Sequence, residues 1–228
     1  MRDATLLPEL ISLAADRDSA APALTYGNMT LNYGELQVAV TSFSSGLLSL
    51  GIQRGERVAI YLEKRFETVI ASFGAPAAGA VFVPLNPLLK PEQVGYIMRD
   101  CNVRVLVTSR ERLALLSDTL TTCHDLRHVI LVDSDAAAPN FDPIGVYSWT
   151  QLLENEQRNG HRLIDTDVLG ILYTSGSTGR PKGVVLSHRN MVAGAKSVSS
   201  YLQNHTGDTL LAALPLSFDA GFSQLTTA

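Results

Sequence analysis

Leu172-Tyr173-Thr174-Ser175-Gly176-Ser177-Thr178-Gly179-Arg180-Pro181-Lys182-Gly183-Val184-Val185 is the stretch on which the reading of this chain turns. An apolar, strand-like run from Val168 to Thr174 leads into it, and another from Gly183 to Ser187 leads out. Between them, Ser175, Gly176, Ser177, Thr178 and Gly179 form an unbroken run of hydroxyl residues and glycines, followed by Arg180 and Lys182. Glycine lets backbone N–H groups approach an anion closely and turn toward it. The hydroxyls add neutral donors, and Lys182 adds a compact positive charge that can reach phosphate oxygens. The set describes a polyphosphate cradle suspended between two strands.

Other loops of similar composition are excluded by spacing. A Walker A loop needs Gly-Lys-Ser or Gly-Lys-Thr, whereas Lys182 follows Pro181 and precedes Gly183. The dinucleotide fingerprint GxGxxG does not occur. Ser177 has glycines one before and two after, not the two-before, two-after pattern of a hydrolase elbow. A flexible Gly/Ser/Thr linker is the plain alternative. Its position between two apolar strands, closed by Arg-Pro-Lys-Gly, is unusual for one.

Moving outward, short runs rich in Val, Ile and Leu alternate with helical patterns. Strands are expected at Arg57 to Leu62, Val81 to Leu85, Val103 to Thr108, His128 to Asp133, Val168 to Thr174, Gly183 to Ser187 and Thr209 to Leu214. They are mostly apolar on both faces, as parallel strands covered by helices are. The clearest helix runs from Tyr33 to Leu50, with Asn32 and Glu35 as a capping box and Gly51 as its stop. Leu36, Val40, Phe43, Leu47 and Leu50 give it one apolar stripe. Further helices carry Phe66, Val69, Ile70 and Phe73; Val94, Ile97 and Met98 after Pro91; and Met191, Ala195, Val198 and Leu202. The stretch from Ser134 to Asp167 reads as surface loops with a short helix around Trp149 to Glu154. The alternation predicts an α/β fold with largely parallel sheet flanked by helices.

Composition narrows the function classes. The chain has 228 residues, 46% hydrophobic and 18% charged, and a net charge of -4. It carries no basic excess of the kind nucleic-acid binders show. No run is long and apolar enough to span a membrane, and Pro8 and Glu9 interrupt any signal-peptide core. Two cysteines without a CxxC pair, Cys101 and Cys123, fit a reducing cytoplasm. Cys123, His124 and His128 invite a metal reading, because a helix would put the two histidines on one face. A zinc site needs further ligands, so a surface turn before a strand is the simpler reading and no metal site is assigned.

Tyr173 to Val184 resembles the signature phosphate loop of the adenylate-forming (AMP-binding) superfamily, which contains acyl-CoA synthetases, luciferases and the adenylation domains of nonribosomal peptide synthetases. Four more segments resemble that superfamily's motifs in order: Leu31 to Leu36, Ala78 to Pro87, Ser187 to Asn190 and Leu214 to Gly221. The resemblance implies that residues 1–228 are the N-terminal portion of a large adenylation domain, with its remainder and a C-terminal lid absent. It implies ATP and Mg2+ as cofactors and a carboxylic or amino acid as substrate. Coenzyme A, or the pantetheine of an acyl carrier protein, would be the acceptor. Thr174, Ser175, Gly176, Ser177, Thr178, Gly179 and Lys182 would bind the phosphates, and Phe218, Asp219 and Gly221 would face the acid.

The same resemblance sets expectations about what is missing. The later motifs are absent: a Thr-Glu pair for magnesium, a ribose-binding aspartate, the hinge and a lid lysine. The chain stops at Ala228 with no closing helix expected, so it is expected to fold without catalysing and to tend to self-associate. Binding of ATP or pyrophosphate without chemistry, or a partner-binding α/β domain, remain alternatives. His188 and the other histidines read as polar helix-start or surface residues. Phe218-Asp219 is closer to the amino-acid-activating pattern, where the aspartate pairs with an α-ammonium; Gly221 follows the acyl-CoA synthetase pattern instead. A helix-capping role for Asp219 is the alternative.

Overall fold

The computed structural model describes residues 3–133, 141–174 and 180–228. In chain order the elements are α1 (Glu9–Arg17), β1 (Pro22–Tyr26), β2 (Met29–Asn32), α2 (Tyr33–Ser49), β3 (Arg57–Tyr61), α3 (Phe66–Ala77), β4 (Val81–Pro84), α4 (Pro91–Asp100), β5 (Val103–Thr108), α5 (Arg110–Leu120), β6 (His128–Leu131), β7 (Gly145–Ser148), α6 (Trp149–Leu153), β8 (Val168–Thr174), β9 (Lys182–Ser187), α7 (His188–Leu202) and α8 (Asp219–Thr226). β1 and β2 make a small hairpin. The remaining strands form one seven-stranded sheet in the order β7-β6-β5-β3-β4-β8-β9.

All neighbours in that sheet are parallel except β9, which runs antiparallel to β8. The α/β class and the mostly parallel sheet agree with the sequence reading; the antiparallel edge departs from it. An apolar run does not say which way a strand runs, and β9 is not covered on both faces either: Val184 and Val185 are 45% and 58% exposed. The connection through 175–181 decides direction, because a parallel crossover needs about a dozen residues or more.

Alternation along each strand divides the core into two layers. On one face Val58, Ile60, Phe82, Val105, Val107 and Ile130 meet the helices α1, α2, α3 and α6. On the other, Ala59, Tyr61, Val83, Leu106, Val129 and Leu131 meet α4 and α5. Asn32 and Glu35 form the expected box: Asn32 Oδ1 accepts from the Glu35 N–H at 2.8 Å, and Glu35 Oε2 accepts from the Asn32 N–H at 2.9 Å. Gly51, past the end of α2, has φ of +79°, the left-handed conformation that suits glycine.

Two expectations are corrected and one is refined. Thr209 to Leu214 joins no sheet and contains a tight turn, with the Ala213 N–H donating to the Leu211 carbonyl at 2.8 Å. Side chains take most of the rest: Lys64 Nζ donates to the carbonyls of Ala212 and Ala213, and Gln224 bonds Leu211 and Leu214. A closing helix is present, since α8 follows this segment and buries Phe222 against Phe73 and Phe82. His188 starts α7 as expected but lies at 1% exposure rather than on the surface. Its Nδ1 accepts the Leu7 N–H at 3.0 Å, tying the chain before α1 to the start of α7.

The metal reading of Cys123, His124 and His128 loses its geometric premise. His124 lies in a turn and His128 opens β6, so no helix aligns them. Cys123 is buried.

Two consequences follow from packing and protonation. Gly46 on α2 sits where a Cβ would lie 2.5 Å from both Cγ and the carbonyl oxygen of Leu152 on α6. Replacing Gly46 by Ala should cost about 1–3 kcal/mol of stability, read as a lower denaturant midpoint at unchanged slope. An unaltered midpoint would mean that α6 can move off α2 freely. Burial pushes the His188 pKa below its ordinary 6.5, against the opposing pull of Asp167, Glu9 and Asp165. The unfolded chain therefore takes up the proton first. The stabilisation is complete above pH 6.5 and declines as pH falls. His128, lowered mainly by burial, has the same sign. Thermal unfolding of wild type and His188→Gln between about pH 8 and about pH 5 should show a steeper acid loss in wild type. Parallel curves would show that His188 is not a source of it.

Candidate functional site

The hairpin of β8 and β9 carries the loop. Its register pairs Thr174 with Lys182 and Tyr173 with Gly183. Register partners in an antiparallel pair project to one face, so Thr174 and Lys182 stand side by side at the mouth. Both are exposed. Ser175, Gly176, Ser177, Thr178 and Gly179 lie outside the described residues. The Lys182 side chain has no hydrogen-bond or ion-pair partner among the described residues.

The root of the loop is held firmly. The Tyr173 hydroxyl donates to Asp100 Oδ2 at 2.5 Å, linking the end of β8 to the end of α4. Burial first, and the Asp100 carboxylate second, push the Tyr173 pKa up, so the phenol remains a donor. Burial also pushes the neighbouring Cys101 thiol up to about 11, which keeps it protonated. Gly183 has a steric reason: a Cβ there would lie 2.6 Å from the Ile171 side chain and 3.2 Å from the Tyr173 ring.

The second group of candidate residues comes from the turn into α8. Phe218 occupies the N-cap position, and Asp219 is the first helical residue. Asp219 is exposed at the helix start, as a solvated aspartate there would be, but it stands one position past the N-cap, which Phe218 occupies without a side-chain cap. A carboxylate in the first turn still sits favourably on the helix dipole. Gly221 is buried, and a Cβ on it would lie 1.9 Å from the Pro215 carbonyl oxygen. Close approach of two backbones therefore requires glycine there.

Both groups lie on one edge of the sheet. The parallel strands end together, and β8 runs with them until Thr174. Lys64, three residues past β3, reaches the segment before α8 at Ala212 and Ala213. Open parallel sheets bind ligands beyond the carboxyl ends of their strands. Among the described residues, no three His, Cys, Asp or Glu side chains gather into a set that could hold a metal. No described helix is long and apolar enough to cross a membrane. The residues that sequence reasoning missed are Lys64, Gln224 and Asp100. Only Lys64 carried a signal, as a cation just past the carboxyl end of a buried strand.

Comparison with known proteins agrees with this geometry. Residues 12–228 match the family model described as AMP-binding enzyme. The chain is 33% identical over 193 residues to long chain acyl-CoA synthetase 6, peroxisomal, of Arabidopsis thaliana, a match covering 82% of this chain and 28% of the relative. It is 27% identical over 218 residues to tyrocidine synthase 3 of Brevibacillus parabrevis, covering 94% of this chain and 3% of the relative. The solved complex of VinN with 3-methylaspartate superposes with a TM-score of 0.80 at 26% identity, covering 97% of this chain and 58% of that one. The chain thus spans less than two thirds of each.

Proposed function

The chain belongs to the AMP-binding enzyme family, and we propose that the whole protein activates a carboxylic acid with ATP. The acid's carboxylate oxygen attacks the α-phosphate, the bond to the β-phosphate bridge breaks, and pyrophosphate leaves with its electrons. An acyl-adenylate remains. A thiol, from coenzyme A or the pantetheine of a carrier protein, then takes the acyl group and releases AMP. The buried thiols Cys101 and Cys123 suit a reducing, cytoplasmic setting.

One observation carries this reading: Lys182, without a polar partner among the described residues, stands beside Thr174 at the mouth of a glycine- and hydroxyl-rich loop. ATP and a carboxylate are both anions, and bringing them together requires positive charge and oriented donors already in place. Thr174, the loop residues Ser175 to Gly179, and Lys182 supply both. Magnesium would ride on the nucleotide's phosphates; no described carboxylate set is assigned to it, and no step here depends on one.

The acid proposed is one that carries an amine. A carboxylate such as Asp219 repels a second carboxylate unless a cation lies between them, and an ammonium on the substrate is that cation. Asp219 is exposed at the start of α8 with Phe218 before it. The VinN complex, which holds an amino acid, supports the same choice.

In the whole protein, Lys182→Ala should slow ATP–pyrophosphate exchange by about ten- to a thousandfold; an unchanged rate would remove Lys182 from the phosphate site. Asp219→Ala should reduce exchange with an amine-bearing acid far more than with its deaminated analogue. Equal losses, or a wild-type preference for plain fatty or aryl acids, would show that Asp219 reads no amine.

A further inference from the structure

The segment before α8 has little of its own to hold it in place. Leu211 is 82% exposed and Leu214 is 47% exposed, so apolar burial contributes little there. It pairs with no strand, and its own backbone contributes one short bond, from the Ala213 N–H to the Leu211 carbonyl at 2.8 Å. Two side chains bracket it instead. From the turn after β3, Lys64 Nζ donates to the Ala212 carbonyl at 2.6 Å and to the Ala213 carbonyl at 2.7 Å. From α8, Gln224 Nε2 donates to the Leu211 carbonyl and Gln224 Oε1 accepts the Leu214 N–H, each at 3.1 Å.

The Lys64 contact differs in kind from the Gln224 contact. It is charge-assisted on the donor side, and such bonds are shorter and stronger than neutral ones. It also ties the segment to a rigid body, because Lys64 follows a strand buried on both faces, whereas Gln224 belongs to the helix being placed. Holding two successive carbonyls fixes both the position and the tilt of the chain. Immediately after them, Pro215, Leu216 and Ser217 close over a cavity of about 40 Å³ lined also by Leu62, Thr68 and Leu85. Phe218 and Asp219 come next. A lysine near an acid-binding edge could instead bind the acid directly, but the ammonium is already directed at two carbonyl oxygens.

We infer that Lys64 is a positioning residue: its ammonium, clamped on the carbonyls of Ala212 and Ala213, sets where Phe218 and Asp219 stand and so governs the acid without touching it. The inference rests on the acid-activating reading above, and its test separates the two. In the whole protein, Lys64→Met keeps the stem and removes the charge. It should raise KM for the acid about tenfold, as loss of a hydrogen bond to a charged group would, while KM for ATP shifts less than about twofold. Lys64→Arg should restore most of the difference. Equal rises in both KM values, or an unchanged KM for the acid, would overturn the inference. Amide hydrogen exchange of the same variants gives a readout independent of activity. The Ala213 and Leu214 amides should exchange about tenfold faster in Lys64→Met, with β3, β5 and β6 unaltered. If no acid supports exchange in wild type, the proposed function fails while the amide measurement still judges the clamp; unchanged amide exchange at Ala213 and Leu214 would sink it.

Discussion

Parallel strands must be joined by connections that carry the chain back to the same edge, and nearly every feature of interest here descends from that constraint. The turns after β3, β4 and β5 all open on the carboxyl edge, and so does the loop between β8 and β9. Residues far apart in sequence meet there with no need for a special device. Lys64 and Ala212, separated by 148 positions, are joined in this way. On the opposite edge Arg104 bonds Glu56 and Asp125, and Arg57 donates to the carbonyls of Cys101 and Asn102 at the end of α4. Those arginines are neutralised or engaged, as Arg65 and Arg112 are on the carboxyl edge, whereas the Lys182 side chain has no polar partner among the described residues.

Much of this was legible from residue types. The Asn32–Glu35 box and the stop at Gly51 were readable because capping is local: each partner lies within one turn of the other. The strands β3, β5 and β6 were readable because they are apolar on both faces. The glycine- and hydroxyl-rich loop stood out because few environments other than an anion site favour glycine, hydroxyl and lysine together between two strands. Of its predicted residues, Thr174 and Lys182 are described and paired in register, while 175–179 lie outside the described residues.

What escaped the sequence reading depends on partners rather than on local pattern. The run from Thr209 to Leu214 has the composition of a strand, but a strand also needs a neighbour, and here Lys64 and Gln224 take its carbonyls instead. His188 has the polarity of a surface residue, yet the otherwise unpaired N–H of Leu7 calls for a buried acceptor, supplied from 181 positions away. The hairpin β1–β2, α1 and α5 escaped because their exposed or mixed faces give weak periodicity. Gly221 was read as a matter of substrate class. Its environment gives a mechanical reason, the 1.9 Å approach of a would-be Cβ to the Pro215 oxygen, that holds whatever the acid is.

That reason bears on how α8 can serve a site at all. A helix of eight residues is too short to be stable alone, so its order must come from what it packs against. Phe222, fully buried between Phe73 and Phe82 at ring distances of 5.7 Å and 4.9 Å, provides the apolar anchor. Gly221 lets the same turn close on Pro215, and Gln224 returns to Leu211 and Leu214. Asp219 sits three positions before Phe222, exposed while its helix is pinned. An exposed carboxylate on a pinned turn loses little further freedom when a ligand arrives, which lowers the entropic cost of recognition. Substitutions at Phe222 would disturb the core and Asp219 together. Those at Lys64 act on the segment leading into the helix and leave the aromatic anchor in place. The two routes therefore separate folding from positioning at one end of a single short helix.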